Sequence, residues 1–213
     1  MQIEQLIDSL AEDLRPSPPG ALERRMAAGI ILGMVASGVL MALGLGIRAD
    51  LLRAMHGFVF WMKAGYATAL AAVAISAAIR LSKPDTTPPR WLWLLAVPVL
   101  AVAGLAAGEF IRTPPQGWLD LWLGSSWMVC PILLFGLSVP IFLGLLWAQA
   151  KLAPTRLKTA GTVAGVAAGA TATLVYCLHC PESTAAFVLT WYSLGIGAAG
   201  FAGRLLGPRL LRW

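Results

Sequence analysis

Three cysteines carry most of the reactive chemistry in this chain: Cys130, Cys177 and Cys180, the last two framing Cys177-Leu178-His179-Cys180-Pro181-Glu182. Thiols in such a pattern can pair as a disulfide, take a soft metal ion or cycle as a redox dithiol. An odd count leaves one thiol over from any single bridge. For metal binding the donor set is Cys130, Cys177, Cys180, His179 and Glu182, which would suit zinc, cadmium or a similar ion once the thiols lose their protons. Four readings stand side by side. One is a structural staple (Cys130–Cys180 or Cys130–Cys177) or buried inert thiols. Another is a redox or thiol-reactive metal sensor. A third is the catalytic dithiol of a membrane thiol oxidoreductase. Haem attachment fits worst, because Cys177-Leu178-His179-Cys180 lacks the histidine that should follow the second cysteine.

The elements that position these thiols are membrane helices. The chain is 58% hydrophobic and 12% charged, about half the charge of an ordinary soluble domain. Apolar runs close to the roughly 20 residues that a bilayer core demands recur along it. They give six spans: Met26 to Ile47, His56 to Ile79, Trp91 to Ala107, Trp127 to Ala148, Thr159 to Leu178 and Thr184 to Leu206. The runs do not alternate and are rich in Ala, Leu and Gly, which argues against strands. The expected fold is all-α, a polytopic integral membrane protein with a head and linker at 1–25 and a six-helix domain at 26–213.

Basic residues set the orientation. With the N-terminus inside, the inner segments hold Arg15, Arg24, Arg25, Arg80, Lys83, Arg90, Lys151, Arg156, Lys158, Arg204, Arg209 and Arg212, while the outer loops hold Arg48, Arg53 and Arg112. That bias places both termini in the cytoplasm. It also accounts for the net charge of +6 without a nucleic-acid partner. All three thiols then lie at one depth, at the outer face, which in a bacterium is the oxidising side of the inner membrane.

The first 25 residues begin acidic and lack an apolar core, so they read as a cytoplasmic head and not as a signal peptide. Ile3, Leu6, Ile7, Leu10 and Leu14 recur at helical spacing, opposite Glu4, Asp8 and Glu12. Such a helix could lie on lipid. Its acidic face is repelled by an anionic leaflet, so the stripe is better suited to a groove on a protein partner with basic surfaces. Arg15-Pro16-Ser17-Pro18-Pro19-Gly20 breaks the helix before the membrane.

Small residues four apart, Gly161/Gly165/Gly169 and Gly29/Gly33/Ser37, signal close helix packing within the chain. Lys63 and Glu109, charged groups within or at the end of spans, would lower each other's cost as an intramembrane pair; the alternative is a Lys63 that snorkels to the interface. Pro98, Pro131 and Pro140 mark kinks or first turns. No phosphate loop, Ser-His-Asp set or haem histidine pair is visible.

A short N-terminal cytoplasmic segment, six spans, a cysteine opening the fourth span, and Cys180-Pro181-Glu182-Ser183-Thr184 followed by Trp191-Tyr192-Ser193-Leu194-Gly195 resemble the NrsF-type membrane anti-sigma factors. The resemblance runs over nearly the whole chain. It implies sequestration of an extracytoplasmic-function sigma factor at the inner membrane, and release on metal or oxidative stress sensed by two periplasmic cysteines. Those two map onto Cys130 and Cys180, with Cys177 an extra thiol. The expected function is therefore a regulatory binding protein, not an enzyme, with a sigma factor and membrane lipids as partners. No cofactor is implied beyond a soft ion at the cysteines. The alternative from another class is a quinone-linked membrane thiol-disulfide oxidoreductase.

Overall fold

The computed structural model describes residues 20–83, 90–150 and 156–212. The expected head helix, with Ile3, Glu4, Leu6, Ile7, Asp8, Leu10, Glu12 and Leu14, lies outside the described residues. Among those described, six helices are long and apolar enough to cross a membrane. In chain order the elements are α1 (Ala21–Gly44), α2 (Leu51–Met55), α3 (Phe58–Leu81), α4 (Ala96–Arg112), α5 (Trp118–Leu123), α6 (Cys130–Gln149), α7 (Leu157–Tyr176), α8 (Ala185–Phe187) and α9 (Ser193–Leu210). A 3-10 stretch, Arg90–Leu95, leads into α4, and a π-helical turn, Val188–Tyr192, joins α8 to α9 as one long span.

The spans differ from their predicted bounds where polar residues interrupt the apolar run. α1 starts at Ala21, more than a turn before Met26. Arg25 can enter the helix because its guanidinium lies 4.5 Å over the Trp147 ring and donates to Trp147 O at 3.0 Å. The third span runs past Ala107 to Arg112, beyond Glu109, because the Glu109 carboxylate is taken up by backbone donors described below.

α7 is the axis of the bundle. In its apolar window 78% of residues are buried, against 11% in the third span. It packs on α9, α3 and α6, while α1 packs chiefly on α6. Lipid tails are as apolar as leucine, so contact between spans must come from close fit. The glycines supply it. A Cβ on Gly161 would strike Gly203 O, one on Gly165 would strike Ala199 O, and one on Gly203 would strike Gly161 O. On the first span, Gly29 meets Gly144 O, Gly33 meets Ile141 of α6, and Ser37 Oγ donates to Leu137 O at 2.7 Å. Both small-residue series are thus used for packing inside one chain.

The connections 45–57, 113–129 and 177–184 gather at one end of the bundle, which holds the three cysteines. Tryptophans cluster at that end: Trp191 stacks on Trp127 with ring centroids 5.3 Å apart and on Trp122 at 5.8 Å. Trp61, Trp118, Trp122 and Trp191 each donate their indole N–H to a backbone or threonine oxygen. Amphipathic rings of this kind sit at a membrane–water boundary.

Candidate thiol site

Cys130 is the first residue of α6, with Pro131 following in the first turn, where a missing N–H costs nothing. Cys177 and Cys180 belong to the turn that ends α7 and to the extended segment after it. All three are free thiols and buried, Cys130 and Cys180 at 0% exposure and Cys177 at 1%. The Cys130 and Cys180 thiols are close enough for each to act on the charge of the other. Tyr176, the last residue of α7, sits against this pair. Tyr192, in the π-helical turn, is fully buried beside Cys177 and Cys180, and its hydroxyl has no satisfied hydrogen bond. A wide turn of this kind is a common feature of functional sites in helices.

The segment that carries Cys180 is non-helical, so its carbonyls need donors from elsewhere. Cations supply them. Lys63 Nζ, 1% exposed on α3, donates to Cys180 O at 3.2 Å and to Glu182 O at 2.7 Å. Arg48 Nη1 donates to Cys180 O at 3.0 Å, while its other nitrogens grip Asp50 at 2.7 Å on both oxygens. Arg48 N also donates to Leu178 O at 3.1 Å. His179 Nδ1 lies 2.9 Å from Gly46 O, which accepts if the ring proton is on Nδ1.

Two carboxylates finish the frame. Glu182 Oε1 accepts from Ser125 N (2.8 Å), Ser125 Oγ (2.7 Å), Ser126 N (3.0 Å) and Ser126 Oγ (2.9 Å), tying the Cys180 segment to the turn before α6. Glu109 accepts from Ala185 N at 2.9 Å and Ala186 N at 3.1 Å, so the third span caps the N-terminus of the sixth. Thr184 completes that cap, accepting from Phe187 N and donating to Leu121 O at 2.9 Å.

Two expectations are corrected by this arrangement. Lys63 and Glu109 do not pair, because each is satisfied by backbone groups of the 180–186 segment. The five-residue metal set is not assembled either: no group of three or more His, Cys, Asp or Glu placed to hold a metal ion occurs among the described residues. His179 turns to Gly46 and Glu182 to the serines, leaving Cys130 and Cys180 as a bare pair.

The three sulfurs are electrostatically unequal. Burial pushes the Cys177 thiol up to about 12. Cys180 moves the other way, below the ordinary thiol range: its contact with Cys130 favours the thiolate, burial opposes it, and the Lys63 charge adds to the lowering. Burial also works against the Glu182 carboxylate, but the four serine donors outweigh it and leave the group below the usual carboxylate range.

Sequence reading found the cysteines, Lys63 and Glu182, and missed Tyr176, Tyr192, Ser125, Ser126 and the role of Arg48. Arg48 did leave a signal. It is one of three basic residues in loops that the charge bias otherwise empties.

The family model described as "NrsF: Negative regulator of sigma F" matches residues 10–213. Among curated proteins, the chain is 39% identical over 213 residues to the "Probable anti-sigma-F factor NrsF" of Azospira oryzae (strain ATCC BAA-33 / DSM 13638 / PS), covering 100% of both chains. It is 37% identical over 219 residues to the "Anti-sigma-F factor NrsF" of Caulobacter vibrioides (strain NA1000 / CB15N), again covering 100% of each. No solved structure matches.

Proposed function

The chain belongs to the NrsF family of negative regulators of sigma F, and from that footing we propose that it is an anti-sigma factor of the bacterial inner membrane whose release step is thiol oxidation. Both termini are cytoplasmic in this reading, and the thiol end faces the periplasm. The head holds an extracytoplasmic-function sigma factor through Ile3, Leu6, Ile7, Leu10 and Leu14, with Glu4, Asp8 and Glu12 turned toward basic surfaces of the partner. Occupancy alone then keeps the sigma factor from polymerase or promoter. The protein regulates by binding and catalyses no reaction.

The observation that carries the release step is the meeting of Cys130 and Cys180. They come from different spans, are fully buried, and lie against one another inside a frame of fixed carbonyls and carboxylates. A bridge between them ties the start of α6 to the segment between α7 and α8. Both segments feed helices packed on α7, so a shift there propagates along rigid elements. The stressor must favour the bridged arrangement over the open one, which an oxidant does by making the bond. With only two thiols gathered, an oxidant fits the site better than a resident metal ion.

The test is sigma-dependent transcription from a reporter, with peroxide as inducer. Cys130→Ser and Cys180→Ser should each abolish induction, and Cys177→Ser should weaken it less. Unchanged induction in either of the first two would reject the pair as sensor. In the head, Leu6→Asp or Leu10→Asp should release the sigma factor constitutively, because a carboxylate in an apolar groove costs several kcal/mol. Retention of the sigma factor by protein lacking residues 1–14 would refute the head as the contact. A reporter fused after Trp213 that works only in the periplasm would refute the topology.

A further inference from the structure

Lys63 is the group at this site with the least obvious partner. Its ammonium is 1% exposed and is held by two carbonyls, yet it forms no ion pair with a carboxylate; among the described residues the one ion pair within 4.0 Å is Arg48 with Asp50. A buried cation without an anion is expensive, and carbonyl dipoles offset only part of that cost. The groups around it that can carry negative charge are sulfurs: its charge acts on Cys180 and on Cys177. Both residues are fully buried, and Cys177 lies beside the Tyr192 hydroxyl.

From this geometry we infer that Lys63 is the positioning cation of the thiol reaction, favouring negative charge on the Cys180 sulfur so that Cys180 attacks the oxidant and Cys130 resolves the product. The inference rests on the thiol-oxidation reading above and assigns its order of events. Two features favour that order over the reverse. A thiolate on Cys130 would face the negative charge of Glu182, whose carboxylate is held at Ser125 and Ser126 just before α6. And Lys63 is fixed on Cys180 O and Glu182 O, the carbonyl of the attacking residue and the one two residues beyond, so it cannot follow the sulfur of another element.

Access is also on this side. A crevice of about 140 Å³ is lined by Arg48, Phe60, Lys63, Pro181 and Glu182, among others, so it reaches Lys63 and the two residues that follow the buried Cys180. In the first step the Cys180 thiolate attacks one peroxide oxygen. An S–O bond forms, the O–O bond breaks, and the departing hydroxide takes a proton to become water. Cys180 is now a sulfenic acid, and peroxide is reduced. In the second step the Cys130 sulfur attacks Cys180, the S–S bond forms and the S–O bond breaks. Hydroxide leaves with the Cys130 proton as a second water. The thiolate is consumed, and Lys63 loses the negative charge on Cys180. The Cys180 segment is then held to α3 by a cation that gains from moving toward water.

The test uses full-length protein in lipid nanodiscs, limiting hydrogen peroxide, a dimedone trap for sulfenic acid and mass mapping of the adduct. In a Cys130→Ser background the adduct should form on Cys180. In a Cys180→Ser background, adduct on Cys130 should form about tenfold more slowly, the size expected for one nearby opposite charge. Lys63→Met should slow Cys180 trapping by a similar factor, and Lys63→Arg should restore most of it, which a purely space-filling role would not predict. First trapping on Cys130 in the otherwise native chain overturns the inference without any change at Lys63, so the result does not depend on whether Lys63→Met folds. An unchanged rate in a folded Lys63→Met protein overturns it as well. A Cys130–Cys180 disulfide that forms at a rate indifferent to residue 63 leaves the thiol reading intact and removes only Lys63. The absence of adduct on either sulfur removes both.

Discussion

Along α7 the glycines at 161, 165 and 169 admit nothing but the backbone and smallest side chains of α9, whereas past Tyr176 the same chain is held by side chains reaching in from four other segments. In the first region the contacts are Gly203 O, Ala199 O and Ile196 Cα. In the second they are Lys63, Arg48 and Glu109, each bonded to main-chain groups of 178–186, and Ser125 and Ser126, which hold the Glu182 carboxylate. The seam is specified by shape and resists change, since every alternative brings atoms into overlap. The thiol end is specified by charge and hydrogen bonds on non-helical backbone, an arrangement that one new covalent bond or one lost charge can alter. A membrane regulator needs both, a stiff axis and an end that chemistry can rearrange.

The largest effect expected is on the seam. Gly165→Leu forces a side chain into Ala199 O and Gly200 Cα, and should cost more than about 3 kcal/mol, seen as loss of folded protein in detergent thermal scans. Gly104→Leu is the control, because a Cβ there meets nothing, and should be close to neutral. Equal loss in both would erase the distinction between used and unused glycines.

At the thiol end, Glu182→Ala removes all four bonds to Ser125 and Ser126. A cost of about 2–3 kcal/mol follows from charge-assisted bonds of this kind, with faster maleimide labelling of Cys130 and Cys180. Labelling that stays as slow as in the parent protein would mean that the serine clamp does not enclose the thiols. Glu109→Gln keeps the shape of the sixth-span cap but drops its charge, so about 1 kcal/mol should be lost, read as faster amide exchange at Ala185 and Ala186.

The smallest effect is that of acid. Glu182 lies below the usual carboxylate range in the folded protein. Its contribution is therefore complete above the unfolded value of about 4.3 and lost as pH falls through the lower folded value. Amide exchange in 177–184 should rise in that acid window while exchange in α7 stays flat. Parallel rises in both regions would show that the two are not separately held.

This contrast also governs what was legible in the sequence. All six spans could be read because bilayer thickness fixes a run of apolar residues, and the glycine series could be read because close approach needs glycine at four-residue spacing. Span ends were less legible. Arg25 and Glu109 look like boundaries by residue type, yet Trp147 and the Ala185 and Ala186 N–H groups accommodate them inside helices. The Lys63–Glu109 pair failed for the same reason: the partners of both are main-chain groups exposed only where the chain leaves the helix at Cys177, and a sequence does not display unsatisfied backbone. The π-helical turn that buries Tyr192 beside the thiols has no residue signature either.

The central claim is that bonding between Cys130 and Cys180 releases the sigma factor. The most direct measurement takes membranes holding the full-length protein and its bound sigma factor, titrates them with peroxide, and follows the Cys130–Cys180 disulfide by mass mapping alongside sigma factor in the supernatant. The two should rise together, and the Cys130→Ser/Cys180→Ser double variant should release none. Full release from that double variant, or complete disulfide with the sigma factor still bound, would contradict the account.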